Sequence, residues 1–380
     1  MPERCPKEIP VVLLGLRQSI TLGFAFQTFY SESDAAAFGF GVAQFDLCLR
    51  TDVAESPGNC RHTMCLLTMK QFVPRLLLLL VAAVAATLSA AVVKPQTTNG
   101  EGSNPSPFAK PNLHVWAFEE YDAIDRTPSQ RAQLLKEIGI GRAGYICRNK
   151  ARTAEFESYL RAYRENGIDL VSVWTPVHTA RPLEEPQIRG FLEVVDRHEL
   201  RLQWWLTLEE NFDRLPSARR VEHAASQLLP LIAEANRRGC RLVIYGHGRD
   251  KWFTQCENQL AILKQILDEQ PNAHVGIVYN FHQSHAQMDR LKTVLPQLKP
   301  YLVAVNLNGM RSDGPQIVPL GAGDREQTMI NLIRESGWYG PVGVIGHNRR
   351  EDSKLTLQRN LKGLHALLDS IGDDAGSATY

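Results

Sequence analysis

The sequence predicts an α/β fold, a single (β/α)8 TIM barrel preceded by a signal peptide and a flexible leader. Three observations predict it. From Asn112 onward, short apolar β-rich runs alternate with longer amphipathic stretches, eight times over about 260 residues, the count and length of such a barrel. The helical stretches stop where helices should, with Gly139, Gly167, Gly239 and Gly337 each following one. The main rival, a doubly wound open sheet, lacks its glycine-rich phosphate loop: Gly139-Ile140-Gly141 precedes a strand rather than opening a helix.

Taken in order, residues 1–68 carry no convincing periodicity and contain loop-like runs such as Glu55-Ser56-Pro57-Gly58-Asn59, so they read as an over-annotated or disordered extension. Met69 to Arg75 is a short basic start, Leu76 to Leu88 an apolar run of thirteen, and Ser89-Ala90-Ala91 a set of small residues fit for cleavage. Residues 69–91 therefore have the three parts of a signal peptide, which makes the product secreted or periplasmic, with no stable membrane insertion after cleavage. The alternative keeps Met1 as the start and makes Leu76–Val93 a membrane anchor, near the lower length limit for spanning a bilayer. Residues 92–111, rich in Pro, Asn, Gly, Ser and Thr, read as a flexible linker, 112–370 as the barrel and 371–380 as a disordered tail.

Composition narrows the function classes. Lys and Arg number 42 against 41 Asp and Glu, a net charge of +1, so no global field draws the chain to nucleic acid or to an anionic surface. Seven cysteines lie scattered without a CxxC pair or a repeated spacing, which indicates neither a zinc knuckle nor a disulfide framework.

The predicted strands are Leu113–Phe118, Arg142–Ile146, Leu170–Trp174, Leu202–Leu208, Leu242–Tyr245, Val275–Tyr279, Leu302–Leu307 and Val342–Ile345. The predicted helices are Ser129–Ile138, Ala154–Asn166, Ile188–His198, Ala218–Arg238, Gln259–Glu269, Met288–Leu298, Arg325–Ser336 and Leu355–Leu368. In a barrel the site is built where strands end, and those ends carry Glu119, Glu120, Asp122, Cys147, Arg148, Glu209, Glu210, His247, Arg249, Asn280, His282, His285, Asn306, Asn308 and His347. The run His274 to His285, HVGIVYNFHQSH, is the richest: a buried strand delivering Asn280, His282 and His285 in quick succession.

Residues two apart on a strand share a face, so Tyr245 with His247, Asn280 with His282, Asn306 with Asn308, and Ile345 with His347 are placed toward the barrel axis. His247, His282 and His347 are thus the candidate metal ligands, a set that suits zinc, iron, nickel or copper better than magnesium. Arg148, Arg249 and Lys251 offer positive charge to an anionic substrate group, and Asn308 a polar contact. Most aromatic residues near strand ends read as core packing; Trp252 is the best placed to stack on a sugar ring. The glycines of Leu320-Gly321-Ala322-Gly323-Asp324 either let the backbone approach a ligand or shape a turn before a capped helix.

With these pieces in place, the chain resembles the xylose-isomerase-like TIM barrel superfamily, which includes sugar phosphate isomerases and epimerases and the endonuclease IV type of repair enzyme. The resemblance covers about Leu113 to Leu368 and rests on the order of units and on Glu137-Ile138-Gly139, Leu242–Gly248, Val275–His282, Val305–Met310 and Pro319–Asp324. It is closest to a secreted subgroup in which pieces like YGHG, YNFH, VNLNGM and GPVGVIGH recur. The superfamily's isomerases place Glu, Asp, His and Glu after strands five to eight around one divalent metal, and the two glutamates shuttle a proton. Here the matching positions hold Tyr245 or His247, Asn280 with His282, Asn306 or Asn308, and His347, so neither glutamate is present.

The resemblance thus implies a sugar isomerase or epimerase, or a related lyase, using a divalent metal such as zinc, iron or manganese and a small sugar or sugar derivative. Its base must be His282 or a carboxylate from another strand, Glu119 or Glu209. A non-catalytic carbohydrate-binding barrel is the alternative that the missing glutamates favour. A nuclease of the endonuclease IV type would need a basic groove, which the near-neutral charge argues against.

Overall fold

The computed structural model describes residues 105–248 and 250–380; residues 1–104, which hold the expected signal peptide and the anchor alternative, lie outside the described residues, as does Arg249. Eight strands close into one barrel in sequence order: β1 (Leu113–Trp116), β2 (Arg142–Ile146), β3 (Asp169–Val177), β4 (Gln203–Leu208), β5 (Arg241–Tyr245), β6 (Val275–Asn280), β7 (Leu302–Leu307) and β8 (Val342–Ile345). Every neighbouring pair is parallel, including β1 with β8. The connecting helices are α1 (Pro128–Glu137), α2 (Lys150–Glu165), α3 (Pro186–His198), α4 (Ser217–Arg237), α5 (Cys256–Glu269), α6 (Leu291–Leu298), α7 (Glu326–Glu335) and α8 (Ser353–Ser370), with a short α9 (Asp374–Ser377) after them. The four glycines expected to end helices do so, at φ between +68° and +74°.

The strand period of two sorts the apolar side chains into two cores. Val115, Tyr145, Val173, Trp204, Leu206, Ile244, Ile277 and Val305 face outward and pack under the helices. Trp116, Ile146, Trp174, Trp205, Val243, Tyr245, Val278 and Ile345 face inward and fill the barrel. Such filling makes the barrel a packed core rather than a pore, and each fully buried large side chain contributes about 1.5–3 kcal/mol.

Two expectations need correction. Residues 105–111 and 371–380, which by sequence read as linker and disordered tail, pack on each other at the amino end of β1. Ser106 Oγ donates to Asp373 Oδ2 at 2.5 Å, Lys110 N to Thr379 Oγ1 at 2.8 Å, and Tyr380 Oη to the Phe108 carbonyl at 3.0 Å, while Phe108 is fully buried. Small polar residues that read as linker are here satisfied as turn and cap groups. β1 also ends two residues early: Ala117 adopts φ +59°, the left-handed region that L residues rarely use, and the chain turns into a 3-10 helix at Phe118–Glu120.

At the opposite, carboxyl end, Asp122 clamps the loop after β1 to the start of α8. Its side chain is 1% exposed and meets Arg126 at 2.7 Å and Arg131 at 3.1 Å, and it accepts from Ser353 N at 3.0 Å. These bonds hold its carboxyl below the usual carboxylate range against the opposing effect of burial. Among the described residues no helix is long and apolar enough to cross a membrane.

Candidate active site

The floor of the site is aromatic. Trp116, Trp174, Trp205 and Tyr245 point into the barrel from β1, β3, β4 and β5, with ring centroids 4.3 Å apart for Trp116 and Trp205 and 5.2 Å for Trp205 and Tyr245. Above this floor the next inward positions bring the three predicted histidines together. His247 stacks on Tyr245 with centroids 5.7 Å apart and meets Trp174 edge-on at 5.0 Å. His282 lies between the other two, 6.2 Å from His247 and 5.3 Å from His347 by ring centroid. His347 in turn rests against Tyr121, centroids 4.1 Å apart.

Burial decides their charge. It is the largest effect on all three, pushing His247 down to about 4, His347 down to about 3 and His282 well below its ordinary value. Nearby positive groups add to this, Arg148 acting on His247 and His347. The three rings are therefore neutral near pH 7, the form that ligates a metal or takes a proton.

His282 is held from both sides, with Nδ1 2.9 Å from Asn280 Oδ1 and Nε2 2.9 Å from Gln283 Nε2. His247 Nδ1 is buried without a hydrogen-bond partner, and its closest acid is Glu209, with Oε1 at 4.0 Å. Arg148 lies over Trp174, 5.1 Å from the ring centroid, and grips Glu120 through Nε at 3.2 Å and Nη2 at 2.8 Å. Arg349 covers Tyr121 from outside at 5.0 Å.

The other predicted site residues divide. Glu119 does not face the histidines: the left-handed turn at Ala117 swings it into the layer between the sheet and α1 and α2, where Oε1 accepts from Ile146 N at 2.8 Å. Burial raises its carboxyl to about 7. Trp252 packs on Phe212, ring centroids 4.9 Å apart, as part of the outer core. Asn308 is buried, and its Nδ2 is spent on the carbonyls of Gly309 and Gln316, both at 2.8 Å, which shapes its own loop and leaves Oδ1 without a partner. The glycine turn of 320–324 is likewise structural: Glu326 accepts from Gly321 N at 3.1 Å and Gly323 N at 2.7 Å. His285 ties two loops together through the Arg311 carbonyl at 2.7 Å.

Glu120, expected at the end of the first strand, joins the mouth, as do Tyr121, Gln283 and Arg349, which the sequence reading did not name. Tyr121 directly follows Glu120 and Gln283 directly follows His282, so position alone could have flagged them.

No protein-family model matches the chain, and no curated protein matches it. Solved structures do. A 3-keto-D-glucoside 4-epimerase, YcjR, from E. coli aligns at a TM-score of 0.51 with 17% identity, over 68% of this chain and 100% of that one. A D-allulose 3-epimerase from Methylomonas sp. aligns at 0.52 with 11% identity, over 68% and 99%. The IolI protein with a bound zinc atom aligns at 0.51 with 12% identity, over 68% and 98%. At these identities the eight-stranded parallel barrel fold is what the chains share, and the chemistry of this one must be argued from its own residues.

The donor set can be tested against a metal. Three imidazoles bound to one ion through nitrogens about 2 Å away have ring centroids about 5 Å apart. The observed 5.3 and 6.2 Å are near that spacing, and the buried, partnerless His247 Nδ1 is one available donor atom. Yet among the described residues no group of three or more His, Cys, Asp or Glu side chains is arranged to hold a metal ion. The residue types suit one, but the rings would have to move together and Gln283 would have to leave His282 Nε2.

Proposed function

We propose that this chain is a metal-dependent sugar isomerase or epimerase-like enzyme working at the carboxyl-end mouth of its barrel. One observation carries the reading: three neutral imidazoles from the ends of β5, β6 and β8, His282 buried and His247 and His347 half-buried, meet above a sealed aromatic floor. His247, His282 and His347 would hold a divalent ion such as zinc, iron or manganese. When bound, that ion would polarise a carbonyl and the neighbouring hydroxyl of a sugar, making the proton on carbon removable.

The rest falls to the chain itself. Glu209, with Oε1 4.0 Å from His247 Nδ1, is the carboxylate we assign to carry the proton, since Glu119 is turned into the protein to accept from Ile146 N. Arg148, with its side chain 39% exposed and its plane on Trp174, donates to substrate oxygens at the rim. Tyr121 holds the His347 ring in place from the side. Export by the predicted signal peptide would put this activity in the periplasm or outside the cell. The similarity in fold to enzymes named as sugar epimerases supports the substrate class.

A second reading, a carbohydrate-binding barrel without turnover, is favoured by one feature, the occupation of both His282 nitrogens by protein amides. Incubation with ketoses and keto-sugars in heavy water, after loading with zinc, iron or manganese, separates the two. Deuterium appearing at the carbon beside the carbonyl supports the enzyme; binding with no exchange on any sugar supports the second reading.

A further inference from the structure

A chain of hydrogen bonds begins inside the barrel and ends at His282. The Trp116 indole nitrogen can only donate, and it donates to the Tyr245 hydroxyl oxygen at 3.1 Å. Asn280 Nδ2 donates to the same oxygen at 2.6 Å. That orientation turns the other end of the amide, Oδ1, toward His282 Nδ1 at 2.9 Å. On the far side of the ring, Gln283 Nε2 meets His282 Nε2, also at 2.9 Å.

An amide oxygen only accepts, so the Nδ1 facing it carries the proton. An amide NH2 only donates, so the Nε2 facing it is bare. The two contacts agree on the tautomer. Of the two amides, Asn280 is the one held in its orientation by a further bond, to the Tyr245 hydroxyl, while the half-buried Gln283 amide can turn to follow the ring. Tyr245 and Asn280 are each 2% exposed and His282 6%, so water does not compete for the bonds that Asn280 makes. Turning the Asn280 amide over would bring its NH2 against Nδ1 and would require Gln283 to turn as well.

We infer that Asn280, anchored on Tyr245, is a positioning residue that fixes His282 as the Nδ1–H tautomer and thereby makes Nε2 the nitrogen offered to a cation or a substrate proton. Which nitrogen is bare rests on these bonds alone; what the bare nitrogen is for rests on the metal-centred function proposed above. A bond to the far nitrogen of a ligating histidine sets both its ring orientation and its tautomer, and losing it typically costs 10- to 100-fold in metal affinity.

The test is two-bond proton–nitrogen NMR of the imidazoles in 15N-labelled, metal-free protein, with the His282 signal identified by its loss in His282→Gln. The wild type should give the Nδ1–H pattern. Asn280→Leu should move His282 toward Nε2–H, and Tyr245→Phe, which keeps the ring and removes only the hydroxyl, should give a mixture. An Nε2–H pattern in the wild type, or an unchanged pattern in the variants that fold, overturns the inference.

Zinc titration of the same samples tells the two claims apart. Zinc binding that weakens tenfold or more in Asn280→Leu, together with the tautomer shift, supports both. The tautomer shift in a protein that binds no zinc leaves the inference standing and removes the metal-centred function. Zinc binding with no tautomer shift does the reverse.

Discussion

Gln283 Nε2 lies 2.9 Å from His282 Nε2 and so occupies the one ring nitrogen that Asn280 leaves bare. A ligand for His282 has to displace that amide. Gln283→Ala removes the competitor and should tighten zinc binding about fivefold, the equivalent of about 1 kcal/mol for one hydrogen bond. Isothermal titration on the two proteins reads it; equal or weaker binding in the variant would show that Gln283 helps rather than blocks.

Glu209 and Glu119 were equal candidates by sequence and are unequal in space. Glu209→Gln should lower turnover of the exchanging sugar by at least about 100-fold with little change in KM, as expected for a lost proton carrier. Glu119→Gln should leave turnover within a few-fold. Equal losses in the two variants would contradict the assignment.

The Glu119 carboxyl also sets a pH dependence of stability. Its value is about 7 when folded against 4.5 ordinarily, so between those values the folded state holds a proton that the unfolded state has lost. Its contribution is therefore most favourable below about pH 4.5 and is lost as pH rises through 7, an effect on the order of 3 kcal/mol. The histidines run the other way. With His247 at about 4 and His347 at about 3, well under the ordinary 6.5, their neutral state stabilises the fold above that value and costs stability as pH falls. Urea melts of Glu119→Gln against wild type should show the variant gaining at pH 8 and the gain vanishing near pH 4; a gain independent of pH would contradict this.

Asp122→Ala removes the acceptor for two arginines and the Ser353 amide. Breaking a buried ion pair from one side leaves uncompensated charge, so the loss should be about 3–5 kcal/mol in urea unfolding. A loss under about 1 kcal/mol would mean that the clamp between the loop after β1 and α8 is not a structural tie.

The fold was legible because each unit carries its own signals: an apolar run of strand length, an amphipathic helix and a glycine stop at Gly139, Gly167, Gly239 or Gly337. The convergence of His247, His282 and His347 was legible for a simpler reason, since each lies two residues beyond an inward-facing strand residue. Glu119 was misplaced because nothing in the local sequence announces that Ala117, an ordinary residue, takes a left-handed conformation. Trp252 was misplaced because its loop folds back on Phe212, a long-range contact that no periodicity encodes. The Asn280 amide orientation depends on Tyr245 and Trp116 from two other strands, so it exists only in the closed barrel.

The most direct test of the central claim is metal content, by mass spectrometry, of protein purified without chelator, comparing wild type with His247→Ala, His282→Ala and His347→Ala. About one equivalent of zinc, iron or manganese in the wild type, lost in each variant, is the predicted result. No bound metal even after reconstitution, or metal retained in all three variants, would contradict a metal centre at the histidine mouth.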